Sequence, residues 1–262
     1  MGKQMGEEPT PEFAEWAASF SGCDGGNPHG DIWVCGLEHG GEAGNPCKRM
    51  AGGPIYEPPL GYDRPECNLD YPYNQNLLRI FCGIYGQPPS AYAEFNQKHN
   101  PFVGKGQNFF KINLFPLKFP NNENYLWESG HTECTGFTNK KSYTRWCLTH
   151  RLEFLRDQIH TYQPKVIIGV GTGHRGGFKR LLSENPRNVP LSKEVATVAK
   201  WKNGEKHKEV EYSDPNDHTV LAVIPFPGKP SGPQSNDEME KFGRKIAEIV
   251  PSLREGPATA QN

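Results

Sequence analysis

PKVIIGVGTGHRGG, residues 164–177, settles which kind of fold the chain can form. Its first half is an unbroken apolar run too short for a helix. Such runs belong to strands covered on both faces, as in parallel sheets. Glycines follow at once, and then a stretch read as a helix reaching about residue 184. Strand, glycine turn and helix form the repeating unit of an α/β protein. Just upstream, Leu148, Leu152, Leu155, Ile159 and Tyr162 recur at helical spacing, which predicts a helix over about 143–162.

Three further runs match this strand: DIWVC (31–35), FFKINL (109–114) and HTVLAVI (218–224). Helices are expected between them, over about 76–84 and 90–97, and after the last, over about 236–250. Another opens at Thr10-Pro11, a capping residue followed by proline. Residues 195–212 alternate and turn at Asn203-Gly204, the signature of a hairpin. The predicted fold is therefore α/β: a three-layer α/β/α arrangement with a four-stranded parallel sheet and an inserted β-hairpin. Residues 1–252 read as one domain and 253–262 as a disordered tail.

Apolar residues make up 35% of the chain, lean but sufficient for a core, and 29 Gly with 24 Pro imply long ordered loops. No run approaches the roughly 20 apolar residues of a membrane span, and no apolar leader follows Met1. A cytoplasmic monomer away from the membrane is expected. The seven cysteines contain no CxxC pair, so reduced thiols are expected, and neither a metal site nor a cofactor. A net charge of −1 excludes a globally basic nucleic-acid binder. Local basic stretches remain, at Lys98/His99/Lys105, Lys140/Lys141 and His174/Arg175/Lys179/Arg180.

Ligands of open parallel sheets bind beyond the carboxyl ends of the strands. The first loop there, GLEHGGEAGNP (36–46), offers Glu38 and His39 among glycines. Glu38 can orient a water or face a developing cation, or be only an exposed loop carboxylate. The second strand ends at Asn113, whose amide pairs a donor with an acceptor and suits a pyrimidine edge, or simply bonds loop backbone. The third loop spells GxGxxG over Gly171–Gly176. No acidic-ended strand follows it, so a dinucleotide is not implied; its amides suit a phosphate. The fourth presents Lys229 and Ser231 in a Pro/Gly-rich loop, either functional or an ordinary turn.

In this order the motifs resemble those of the uracil-DNA glycosylase superfamily, over roughly 31–250. Gly36-Leu37-Glu38-His39-Gly40 stands for G-x-[D/N]-P-[Y/G]. FFKINLFPLKFP is similar to its base-reading strand, Pro164–Gly171 to P-K-V-I-x-x-x-G, and Lys229-Pro230-Ser231-Gly232 to H-P-S-[P/G]. The resemblance implies a monofunctional DNA glycosylase without cofactors, whose partner is DNA with one nucleotide flipped out. Glu38 would face the sugar cation and position water, and Lys229 would stabilise the departing base. His39, Gly40, Asn113 and Phe115 would bind the base; Gly171, Thr172, Gly173, His174 and Ser231 would hold phosphates.

The chain departs from the pattern at Glu38 (Asp or Asn in the family), His39 (Pro) and Lys229 (His). A second register sets Ile224-Pro225-Phe226-Pro227 against the last motif and would pass the leaving-group role to His174 or His218. His39-Gly40-Gly41 stands where the uracil-specific branch has a Tyr that blocks pyrimidine C5. Cytosine is the poorer leaving group, and a permanent cation suits it. A C5-modified pyrimidine, such as the hypermodified cytosine of phages met in bacterial defence, is the expected substrate, and uracil in base-excision repair the alternative. A base-binding module without catalysis and a nucleotide hydrolase are the competing classes.

Overall fold

The computed structural model describes residues 8–38, 40, 46–104, 108–119, 127–201, 204–228 and 232–255. Among these, one seven-stranded mixed sheet runs through the molecule. Its strands are β1 (Gly25–Gly26), β2 (Ile32–Gly36), β3 (Phe109–Asn113), β4 (Val166–Val170), β5 (Ser192–Trp201), β6 (Gly204–Tyr212) and β7 (Val220–Ile224), in the spatial order β1-β3-β2-β4-β7-β6-β5. The pairs β3–β2, β2–β4 and β4–β7 are parallel; β1, β6 and β5 run antiparallel to their neighbours. The sheet is thus longer than the four expected strands. The hairpin β5–β6 extends it at one edge through Glu211 opposite Val223 and Tyr212 opposite Ala222.

The helices are α1 (Pro11–Ala17), α2 (Pro46–Met50), α3 (Pro72–Ile84), α4 (Tyr92–His99), α5 (Ser129–Thr135), α6 (Lys140–Cys147), α7 (His150–Tyr162), α8 (Arg175–Lys179) and α9 (Asn236–Ile249). Side chains alternate across the strands. Ile32, Val34, Ile168 and Ala222 join one hydrophobic cluster with α3 and α9. Trp33, Ile112, Ile167 and Val223 join another with α1, α6 and α7. Capping fixes several starts: Thr10 accepts from the Phe13 amide, Asn139 from Ser142 and Ser235 from Glu238.

Three expectations need correction. The helix expected over 143–162 is two, because Asn139 caps an earlier start and the Thr149 amide bonds the Trp146 carbonyl in a tighter turn. The domain does not end at 252: Pro251–Glu255 form a 3-10 turn that buries Leu253 completely, while 256–262 lie outside the described residues. Two cysteines are not free thiols, since the fold brings Cys47 and Cys134 to a Cα separation of 5.4 Å and joins them in a disulfide across 87 residues. No helix among the described residues is long and apolar enough to cross a membrane.

Helices α3 and α9 touch backbone to backbone because Gly83 and Gly243 lack side chains. A methyl group on Gly243 would meet the Ile80 carbonyl oxygen, and one on Gly83 the Glu240 carbonyl oxygen. Gly243→Ala is therefore expected to destabilise the protein by about 1–3 kcal/mol, as overpacked cores do. Urea unfolding checks this; an unchanged midpoint would show that the helices separate freely.

Candidate active site

The four mutually parallel strands follow the chain order second, first, third, fourth. The chain therefore reverses direction between β2 and β4, and a crevice opens outside their carboxyl ends. Backbone bonds continue past the strands. The Leu114 amide donates to Gly36 O at 3.0 Å and the Phe115 amide to Leu37 O at 2.7 Å, so Glu38 and Phe115 stand on paired chain. After β4, Gly171 adopts φ +117°, which favours glycine, and the chain turns through Thr172–His174.

The resulting cleft has a volume of 380 Å³. Glu38, Phe115 and His174 line it from the sheet, and Lys140, Lys141, Thr144, Arg145 and Leu148 from α6 and its end. In its lining the Lys140 ammonium lies 3.2 Å from Glu38 Oε1, with both side chains only 6% exposed. The same ammonium sits 3.8 Å from the centre of the Phe119 ring. Burial pushes the Glu38 carboxyl up to about 7, against the pull of Lys140. Burial, and then Lys140, lowers His174. Ionising Glu38 thus works against folding as pH rises from about 4.5 through about 7. Lys141 and Arg145, one helical turn apart, add positive charge to the lining, suited to phosphates.

Of the residues singled out by sequence, the cleft gathers Glu38, Phe115 and His174. Gly171, Thr172 and Gly173 form the turn leading to His174, and Gly40 is exposed. His39, Lys229 and Ser231 lie outside the described residues. His218 precedes β7 at its amino end, bonded to Gln163 at 2.9 Å, so it faces away from the crevice. Asn113 is 2% exposed and its amide nitrogen is committed to Gly22 O and Asp24 Oδ2, each at 2.9 Å. In this conformation Asn113 bonds a neighbouring loop instead of presenting its amide to the cleft.

Sequence reasoning missed two features. Lys140 was visible only as half of a basic pair; the signal was Asn139 before it, a cap that places it in a first helical turn. The other is a polar group at the carboxyl end of β3. Asp24 pairs with Lys111 at 3.5 Å, and Lys111 reaches Asn74 Oδ1 at 3.2 Å. Burial lowers Arg49, offset by the charges of Asp24 and Tyr143, and its Nη1 is buried without a hydrogen-bond partner, as is the Tyr73 hydroxyl. Among the described residues, no three His, Cys, Asp or Glu side chains gather as a metal ion needs. No protein-family model and no curated protein matches the chain.

Removing the ammonium leaves only the burial that disfavours the carboxylate. Lys140→Met is expected to raise the Glu38 midpoint above about 7. Titrating the Glu38 carboxyl carbon by NMR reads this directly, and a midpoint that falls would mean that Lys140 does not stabilise the charged form.

Proposed function

We propose that this protein is a DNA glycosylase of the uracil-DNA glycosylase type, hydrolysing the N-glycosidic bond of a flipped, C5-modified pyrimidine to leave an abasic site. One observation carries the reading: a buried carboxylate that ionises near neutrality, at the crevice end of β2, in a cleft whose other charged side chains, among the described residues, are basic. The order of the parallel strands and the two hydrophobic clusters are compatible with a three-layer domain built on a four-stranded parallel core.

The chemistry asks for charge of both signs. As the bond between sugar and base lengthens, the sugar becomes an oxocarbenium ion and the base an anion. Glu38, ionised above about pH 7, opposes the cation and positions the attacking water. Lys140 holds the carboxylate in place. Phe115, in the cleft lining, offers a face for the base. Lys229, which follows β7 in the sequence, is assigned to the departing base; His174, in the cleft and tending to the neutral form, is the alternative. Lys141, Arg145 and the Gly171–His174 turn take the phosphates. Asn113 acts on base choice through Asp24, which it holds by one hydrogen bond.

The test is a panel of duplexes carrying uracil, hydroxymethylcytosine or glucosylated cytosine, treated with alkali to reveal abasic sites. Cleavage at a C5-modified cytosine is the expected result; cleavage at uracil alone selects the repair enzyme, and none at all refutes the reading. Preorganised charge of this kind is worth about 2.7–4 kcal/mol. Glu38→Gln is therefore expected to slow single-turnover excision about 100–1000-fold, with DNA affinity within a few-fold of wild type. An equal loss of rate and affinity would instead make Glu38 a binding residue.

A further inference from the structure

Hydrolysis of a glycosidic bond uses the carboxylate of the cleft but makes no covalent use of the amine beside it. Lys140 Nζ is 3.2 Å from Glu38 Oε1, both side chains are withdrawn from water, and both line the same 380 Å³ cleft. Its neighbour Lys141 is exposed. A lysine becomes a nucleophile when it is desolvated and has somewhere to send a proton. Glu38 Oε1, 3.2 Å away, is the acceptor for the proton that the amine must give up.

We propose that Lys140 gives the protein a second activity, cleavage of the DNA strand at an abasic site through an imine between its amine and the sugar. The inference rests on the reading that this cleft receives a deoxyribose unit of DNA, and adds a reaction that hydrolysis does not include. The abasic sugar opens to an aldehyde at C1′. The Lys140 ammonium passes a proton to Glu38, and the free amine adds to C1′. Glu38 returns the proton to the departing hydroxyl, which leaves as water, and a protonated imine remains. That cation acidifies the C2′ hydrogen. The Glu38 carboxylate removes this proton, and the C3′–O bond breaks to release a 5′-phosphate end. Water hydrolyses the conjugated imine, freeing Lys140 and an unsaturated aldehyde on the other strand end. Atoms and charge balance with water as the only co-reactant.

The test uses the full chain and a duplex with one preformed abasic site, so no base has to be excised. Sodium borohydride reduces an imine to a stable amine. The expected result is a covalent protein–DNA adduct whose peptide mass maps to Lys140, with strand incision when borohydride is omitted. Lys140→Arg, which keeps the charge beside Glu38, should reduce both to background, and Glu38→Gln should suppress incision. No adduct with the wild-type protein, an adduct on another amine, or an undiminished adduct in Lys140→Arg each overturns the proposal. Mapping on the wild-type protein does not depend on a variant folding. The two readings fail separately. Base excision without an adduct removes the lyase and keeps the glycosylase; an adduct without excision on the duplex panel does the reverse.

Discussion

Taking a carboxylate and an ammonium group out of water costs several kcal/mol per ion, and Glu38 and Lys140 are both withdrawn into the same cleft. Each makes the other tolerable, but unequally. Burial outweighs the attraction of Lys140, which is why the Glu38 carboxyl is held near 7 and not below the usual carboxylate range. A fully solvated pair would leave Glu38 permanently charged and weakly basic. Lys140 Nζ and Glu38 Oε1 lie 3.2 Å apart, close enough for a proton to pass between them. Both proposed reactions draw on that proximity.

Other segments around the crevice are anchored from behind. Arg151, on α7 and completely buried, donates to Ala17 O at 2.7 Å, Ser19 O at 3.1 Å and Asn113 O at 3.2 Å. It ties the end of α1 and the segment after it to the carboxyl end of β3. Asn113 holds the same segment through Gly22 and Asp24. On the opposite side, Lys208 of the edge hairpin bonds Gly232 O at 2.9 Å and Glu238 Oε1 at 2.7 Å. The Asn76 amide bonds Pro227 O at 2.9 Å, so the loop after β7 is fastened at both ends of its described parts. The hairpin, which reads as an insertion in the sequence, thus supports a loop next to the crevice.

Period and punctuation made the central strands legible. DIWVC, FFKINL, KVIIGV and HTVLAVI each became buried strands, since only the middle of a sheet accepts such runs. Glu38 was legible because it follows the first strand's terminal glycine. Lys140 was not, because its meaning depends on a packing angle: the turn at Thr149 separates α6 from α7 and lets α6 run along the cleft. Asn113 was ambiguous for a related reason. A strand-end amide serves a ligand or a neighbouring loop equally well, and Gly22 and Asp24, some 90 residues earlier, take it. The disulfide joins cysteines 87 residues apart, a distance at which spacing carries no signal. Arg49 and Tyr73, with buried and unpartnered polar atoms, had no signature beyond their residue types.

In this reading one carboxyl, ionised only from about neutrality upward, carries the chemistry of the cleft. Single-turnover excision measured from pH 5 to pH 9 on the best duplex substrate tests it most directly. A base that must be ionised gives a rate rising tenfold per pH unit and levelling off above its midpoint. The bend is expected at about 7, where burial holds Glu38, and it should disappear in Glu38→Gln. A rate independent of pH across this range, or a bend that survives the substitution, would contradict it.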